Sequence, residues 1–415
     1  MKQYGCIGKK LTHSFSKEIH GKLADYLYDL IELREEDVAT FFKNKEFAAV
    51  NVTIPYKQTV IPYLDWVSEI AARIGAVNTV VNKNGKLYGY NTDYHGMKAL
   101  IRRIGIEVAG KKVLVLGTGG TSKTARVVAA DLGAGEILTV SRRKTEEYIT
   151  YEEAIAHHSD AQVIINTTPS GMYPNCDSRP IDIAPFRQLE GVVDVVYNPL
   201  RTNLILDAKE RGIRAEGGLY MLVMQAVVAV EKFLDISISR ETADQVYASV
   251  LAAKENIVLT GMPGSGKSTV GKLLDIPGFA FFDTDAEIGK RCGCTIRDLI
   301  GAKGEPYFRD LETDVIRDVS RESCRILSTG GGAVLREENV RYLKQNGKLF
   351  FLDAEFGRLQ ATDDRPLSDT EEKLKKLYNE RIGIYKTTAD VTVPDLASPE
   401  AEADYILAKR KELMV

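Results

Sequence analysis

Short apolar runs alternate along the chain with segments whose apolar positions recur at helical spacing, and no internal repeat interrupts the alternation. The most strand-like run is Lys112-Val-Leu-Val-Leu116, closed by Gly117-Thr-Gly-Gly120. It predicts a strand, a helix over 122–132, a break at Gly133 and a second strand over 136–141, a βαβ unit with a glycine-rich first turn. Further strands are predicted at 161–166, 192–196 and 213–215, and helices at 221–234 and 243–253. Asn256-Ile-Val-Leu-Thr260 reads as a short buried strand ahead of another glycine-rich loop, followed by a helix that Pro277 shortens. Strands alternating with helices predict an α/β chain built on parallel, doubly wound sheets. The domain pattern expected is 1–100 plus 221–240 as one domain, 101–220 as a second, 241–255 as a linker and 256–415 as a third.

Composition narrows the function classes. A chain of 415 residues exceeds the usual single-domain size. Hydrophobic residues at 44% and charged residues at 27% are ordinary for a soluble globular protein. A formal net charge of -3 gives no reason to expect nucleic acid as a partner. The five cysteines are scattered, which argues against a disulfide framework and fits a reduced, cytoplasmic setting. Cys292 and Cys294 have no second pair nearby, so a zinc site is not expected. No signal-peptide pattern opens the sequence, and no apolar run approaches a membrane span.

The chemistry-bearing motifs sit in the loops of this alternation. Gly261-Met-Pro-Gly264-Ser265-Gly266-Lys267-Ser268-Thr269 fits G-x-x-x-x-G-K-[ST] between a strand and a helix. Glycines there let backbone N–H groups turn onto phosphates, Lys267 reaches the β/γ-phosphates and the Ser268 hydroxyl holds Mg²⁺. Asp283 and Asp285 follow a strand-like run and are expected on one face, one toward the metal and the other toward an acceptor hydroxyl. The triple glycine Gly330-Gly331-Gly332 lets backbone approach a ligand. In the first half, Gly117, Gly119 and Gly120 suit a dinucleotide pyrophosphate on a helix N-terminus. The second strand of that unit ends in Ser141-Arg142-Arg143-Lys144, where an NAD site would carry an acidic residue, so a 2′-phosphate and NADP(H) are favoured.

Taken together, His13-Ser14-Phe15-Ser16, Asn51-Val-Thr53-Ile-Pro55-Tyr-Lys57, Asn78-Thr79, Asn91-Thr-Asp93, Asn166-Thr-Thr168, Asp194-Val-Val-Tyr197 and Gly218 through Gln225 resemble shikimate dehydrogenase, from about Tyr4 to about Phe233. The resemblance implies a substrate-binding α/β domain beside a Rossmann NADP domain. It also implies that Ser14, Ser16, Thr53, Asn78 and Gln225 bind shikimate, that Tyr197 and Gly218 lie between substrate and nicotinamide, and that Lys57 and Asp93 are the catalytic pair. Lys9, Lys17 and Tyr220 depart from the family's usual prolines and glycine. Residues 256–410 resemble shikimate kinase, a P-loop fold of the nucleoside monophosphate kinase-like branch. That implies Asp283 assisting Mg²⁺, Asp285 on the acceptor hydroxyl, Arg309 and Arg381 clamping the shikimate carboxylate beside Gly330–Gly332, Arg365 closing over the phosphoryl group from a mobile lid at 361–372, and Arg358 facing adenine.

The two halves thus name one molecule, made by the first and consumed by the second: 3-dehydroshikimate, NADPH and ATP would become shikimate 3-phosphate. Three alternatives stay open. Quinate oxidation with NAD⁺ is opposed by Arg142 and Arg143. A ligand-sensing regulator is opposed by the presence of every catalytic group named above. The third is activity in one half alone.

Overall fold

The computed structural model describes residues 3–11, 15–359 and 370–413, so Ser14, Arg365 and positions 361–369 of the lid expected over 361–372 lie outside the described residues. The chain divides into two compact units, Met1–Val250 and Leu251–Val415.

The first unit begins with β1 (Gln3–Gly8), α1 (Ser16–Leu23), β2 (Tyr28–Glu32), α2 (Glu35–Asn44), β3 (Phe47–Val52), β4 (Trp66–Val67), α3 (Glu69–Ile74), β5 (Thr79–Lys83), β6 (Lys86–Tyr90) and α4 (Asp93–Arg103). Their strands form a mixed sheet in the order β2-β1-β3-β5-β6-β4, with β5 antiparallel to both β3 and β6. Then come β7 (Lys112–Leu116), α5 (Gly120–Asp131), β8 (Glu136–Ser141), β9 (Tyr148–Thr150), α6 (Tyr151–His157), β10 (Val163–Asn166), β11 (Gly191–Asp194), α7 (Asn203–Glu210) and β12 (Arg214–Glu216). They build a second sheet, order β12-β11-β10-β7-β8-β9, parallel throughout. Its central strands are buried on both faces, Val113 to Leu116 and Val163 to Ile165 all at 0% exposure, the condition for a parallel sheet covered by helices. The chain returns to the first sheet through α8 (Leu219–Leu234), which packs on α4 and α1.

Residues 241–255, expected as a linker carrying a helix over 243–253, are almost wholly helical: α9 spans Arg240–Lys254 and buries Ala243, Val246, Tyr247 and Val250. These positions recur at i, i+3, i+4 and i+7, one helical face, and they give the segment a packing role that a linker lacks. The boundary between units falls inside this helix.

The second unit contains β13 (Asn256–Thr260), α10 (Lys267–Leu273), β14 (Ala280–Asp283), α11 (Thr284–Cys292), α12 (Ile296–Ser320), β15 (Arg325–Ser328), α13 (Glu337–Asn346), β16 (Gly347–Asp353), α14 (Glu371–Thr388), β17 (Val391–Pro394) and α15 (Pro399–Glu412). Its five-stranded sheet runs β14-β15-β13-β16-β17, parallel throughout. The helix of 25 residues, α12, bends at Gly304, whose φ of 84° only glycine adopts readily. That bend carries Phe308, Arg309 and Glu312 toward the strand ends. Strand and helix bounds elsewhere fall within a few residues of those expected, because apolar runs and glycine stops mark them.

Candidate active sites

In the first unit, Lys57 follows a cis Ile54-Pro55 turn, and Asp93 opens α4. Lys57 Nζ donates to Asp93 Oδ2 at 2.5 Å, and the two side chains are only 15% and 11% exposed. Beside this pair lies a buried polar chain. Thr92 N donates to Asn78 Oδ1 at 2.7 Å, and Asn78 Nδ2 donates to Thr92 Oγ1 at 3.0 Å. The Thr92 hydroxyl also reaches Gln225 Oε1 at 3.3 Å. Asn51 Nδ2 donates to Thr79 Oγ1 at 3.1 Å, and Tyr28 Oη donates to Asn51 Oδ1 at 2.7 Å. Asn78 and Gln225, far apart in sequence, are therefore joined through Thr92. Thr53 takes its backbone bond from β1, N to Ile7 O at 3.0 Å. Ser16 is the first residue of α1. The rings of Phe15 and Tyr197 lie 5.1 Å apart, which sets Phe15, just ahead of α1, beside Tyr197.

The dinucleotide motif folds as its glycines require. Gly117 has φ 105°, and a Cβ there would sit 2.9 Å from Thr167 Oγ1. Gly119 precedes α5 without any side-chain cap, so the helix N-terminus offers free N–H groups to an anion. A Cβ on Gly120 would lie 3.9 Å from Cδ of Lys57, so the anion cradle and the lysine–aspartate pair adjoin. Ser141 ends β8 and its Oγ accepts from Arg143 N at 3.3 Å. Arg142 and Arg143 are both exposed, a suitable place for a phosphate. Gly218 precedes α8 over the carbonyl of Val195, which a Cβ would approach to 2.2 Å. These residues fit an NADP molecule by donor chemistry and by space.

In the second unit, Gly261, Gly264 and Gly266 all have positive φ, 149°, 83° and 86°. The loop curls around Lys267, whose Nζ donates to the carbonyls of Gly261 at 2.9 Å and Met262 at 2.8 Å. Ser265 is buried within this loop, and Thr269 lies one residue past Ser268 in the first turn of α10. Ser268 Oγ donates to Asp283 Oδ2 at 2.5 Å and lies 3.1 Å from Ser328 Oγ. Three oxygen donors at one point fit a hard divalent cation such as Mg²⁺. Among the described residues, no cluster of three or more His, Cys, Asp or Glu side chains is placed to hold a metal.

Asp283 and Asp285 do not alternate along a strand as expected. Asp283 caps α11, its Oδ1 accepting from the backbone of Asp285 and Ala286, both at 3.1 Å, and Asp285 stands in the helix's first turn. The capping preference of aspartate ends the strand at that point. Both carboxylates still line one cavity of about 570 Å³ together with Lys267, Arg309, Glu312 and Arg381. Burial, then the neighbouring Glu312 and Asp283 charges, push the Asp285 carboxyl up to about 7. Burial likewise raises Glu312, which Arg309 holds at 2.7 Å. Asp285 Oδ1 and Glu312 Oε1 are buried without a hydrogen-bond partner. Arg381 Nη1 donates to Gly331 O at 3.0 Å, and the Tyr385 hydroxyl donates to the same carbonyl. Arg358 lies elsewhere, its Nη1 on Leu396 O at 2.9 Å and paired with Asp395 beyond β17.

Sequence reasoning missed the hub role of Thr92, the orphan oxygen of Glu312 and the buried carboxylate of Asp194. Each sits inside or beside a motif, and that adjacency was the available signal.

The family profile "Shikimate dehydrogenase substrate binding domain" matches residues 6–80, and "Shikimate kinase" matches residues 263–411. A shikimate dehydrogenase (NADP(+)) of Clostridium perfringens is 37% identical over 265 residues, covering 60% of this chain and 97% of that protein. One from Geobacillus kaustophilus is 37% identical over 254 residues, covering 56% and 92%. Among solved structures, shikimate dehydrogenase 1 of Peptoclostridium difficile aligns with TM-score 0.56 at 34% identity, covering 60% of this chain and 98% of its own. The Thermus thermophilus shikimate 5-dehydrogenase in complex with NADP(H) and shikimate aligns with TM-score 0.54 at 27% identity, covering 60% and 99%. The chain belongs to the shikimate dehydrogenase family through its first unit and carries a shikimate kinase domain in its second, which makes it an oxidoreductase and a kinase of the shikimate pathway in one polypeptide.

Proposed function

We propose that the first unit reduces 3-dehydroshikimate to shikimate with NADPH and that the second phosphorylates shikimate with Mg·ATP. The observation that carries the reading is the Lys57–Asp93 contact of 2.5 Å, held beside the N-terminus of α5. NADPH supplies the hydride and ATP the phosphoryl group. As hydride reaches the ring ketone, its oxygen gains charge. The Lys57 ammonium, oriented by Asp93, stabilises that oxygen and passes it a proton. Ser14, Ser16, Thr53, Asn78 and Gln225 bind and orient the ring, Asn78 and Gln225 being fixed in turn by Thr92. Tyr197 and Gly218 border the nicotinamide, and Gly117, Gly119, Gly120, Ser141, Arg142 and Arg143 hold the rest of NADP.

In the second unit the P-loop from Gly261 to Thr269 wraps the phosphates, and Ser268 with Asp283 holds Mg²⁺. Arg309 and Arg381 clamp the acceptor carboxylate against Gly330–Gly332, where guanidinium geometry suits bidentate binding. Asp285, whose carboxyl burial pushes up to about 7, takes the acceptor hydroxyl as its partner and orients it in line. Lys267 and Arg365 carry the charge of the transferring group, and Arg358 meets adenine.

One reaction mixture tests both halves: protein, 3-dehydroshikimate, NADPH and Mg·ATP, with NADPH loss and ADP gain followed together. ADP appearing only after NADPH falls supports the reading. NADPH loss with no ADP, even when shikimate is added, removes the kinase assignment. No change in either signal, with ADP still absent once shikimate is added, removes both.

A further inference from the structure

Asp194 ends β11 with 0% exposure, a carboxylate wholly inside the parallel sheet's carboxyl edge. Its Oδ1 accepts from Asn166 Nδ2 at 2.9 Å and from Val196 N at 3.0 Å, and its Oδ2 accepts from Thr202 Oγ1 at 2.7 Å. Asn166 ends the neighbouring strand β10 and accepts from Thr168 N at 3.0 Å and from its hydroxyl at 2.7 Å. Thr202 caps α7 through Ile205 N at 3.4 Å. One side chain therefore ties together the carboxyl ends of two adjacent strands and the start of the next helix. Ligands of parallel α/β sheets bind at this edge.

The bonds continue toward the proposed reaction centre. Val196, whose N–H Asp194 receives, presents its carbonyl to Gly218 N at 2.8 Å. The preceding carbonyl, Val195 O, is the atom that leaves no room for a Cβ at Gly218. The following residue, Tyr197, rests its ring on Phe15. A buried carboxylate is a costly way to stabilise a sheet, and apolar groups of like volume would serve stability as well or better. What the carboxylate provides and they do not is a fixed backbone path from 195 to 197.

We propose that Asp194 is a positioning residue of the dehydrogenase: it fixes the Val195–Tyr197 segment against which Gly218 and Phe15 are set, and so aligns nicotinamide and substrate for hydride transfer. The proposal rests on the function assigned above to the first unit.

The test compares Asp194→Asn, which keeps shape but loses acceptor capacity, with Thr202→Val, which removes one donor. For each, kcat and KM are measured with NADPH and with NADPH deuterated at the transferred position, alongside the thermal midpoint. Asp194→Asn should lower kcat about tenfold, leave KM for NADPH within about twofold and raise the isotope effect on kcat, since misalignment slows the transfer itself. Thr202→Val should shift all three in the same direction and less. A kcat within about twofold of wild type in both variants, or a lower kcat with an unchanged isotope effect, overturns the proposal. Should Asp194→Asn not fold, Thr202→Val decides by the same criteria. Wild-type protein without turnover would overturn the functional assignment and this role with it, whereas wild-type turnover with indifferent variants would overturn this role alone.

Discussion

Gly330 shows how little space the kinase cavity leaves around its carboxylates. A Cβ there would stand 2.6 Å from Asp285 Oδ1 and 2.7 Å from Glu312 Oε1. Gly330→Ala should therefore displace the side chain proposed to orient the acceptor and lower kinase kcat/KM at least about tenfold, with NADPH oxidation unchanged. An ADP-release assay beside the NADPH assay checks it, and an unaffected kinase would remove Asp285 from that role. His20 carries a prediction about pH. Its ring stacks on Tyr28 at 3.9 Å between centroids, and its Nδ1 lies 2.7 Å from Tyr26 Oη. Burial lowers its pKa from 6.5 to about 3. Below 6.5 the unfolded imidazole takes a proton that the folded one refuses, so the first unit loses stability as pH falls from about 6.5 toward 3. Between neutral pH and pH ~5.5 the loss is about 1 kcal/mol. His20→Gln should flatten the difference between urea midpoints of dehydrogenase activity at those two pH values. Equal sensitivity in wild type and variant would show that other groups account for it.

At the scale of elements, α9 is the informative case. Tyr220, which stands where the family usually has glycine, donates from Oη to Asp244 Oδ1 at 2.9 Å and packs edge-on to Tyr247 at 5.0 Å. Arg103 and Arg240 reach the same carboxylate at 3.3 and 3.1 Å, and the Arg103 guanidinium lies 4.6 Å from the Tyr220 ring centroid. Tyr220→Phe should cost about 1 kcal/mol, the net worth of one hydrogen bond, and Asp244→Ala more, because it strips three donors at once. Thermal inactivation of the dehydrogenase measures both, and a harmless Asp244→Ala would show that α9 is passively attached. The helical period of this segment was legible in Ala243, Val246, Tyr247 and Val250. Its partner was not, because a face says that it will be buried and not against what. Asp283 teaches the same lesson at a strand end. Two alternate carboxylates read as one face of a strand, yet the first became a cap, since backbone N–H groups of the following turn outbid strand continuation. The glycine loops were the most legible part, because positive φ admits few other residues. The Thr92 hub was the least, because a threonine hydroxyl acquires meaning only when Asn78 and Gln225 arrive beside it.

For the whole molecule, the division at Val250–Leu251 predicts separable chemistry. Lys57→Ala should reduce NADPH oxidation by about 10²–10⁴ and leave shikimate phosphorylation at its wild-type rate. Lys267→Ala should do the reverse. Simultaneous loss of both activities in either variant would contradict independent units. The chain path adds a consequence of another kind. The lobe with Lys57 and Asp93 is threaded early, passes through the whole parallel sheet, and is completed only by α8, which brings Gln225 and closes on α4. The fit there is tight: a Cβ on Gly96 of α4 would stand 2.4 Å from the carbonyl of Met221. On a ribosome adding ~5–20 residues per second, the first lobe waits on the order of ten seconds for that helix. During the wait the side of α4 around Gly96 that α8 covers in the finished protein is open to chaperones. Slow codons placed just before residue 219 would prolong that exposure without altering a single amino acid, and the yield of soluble protein would fall with them.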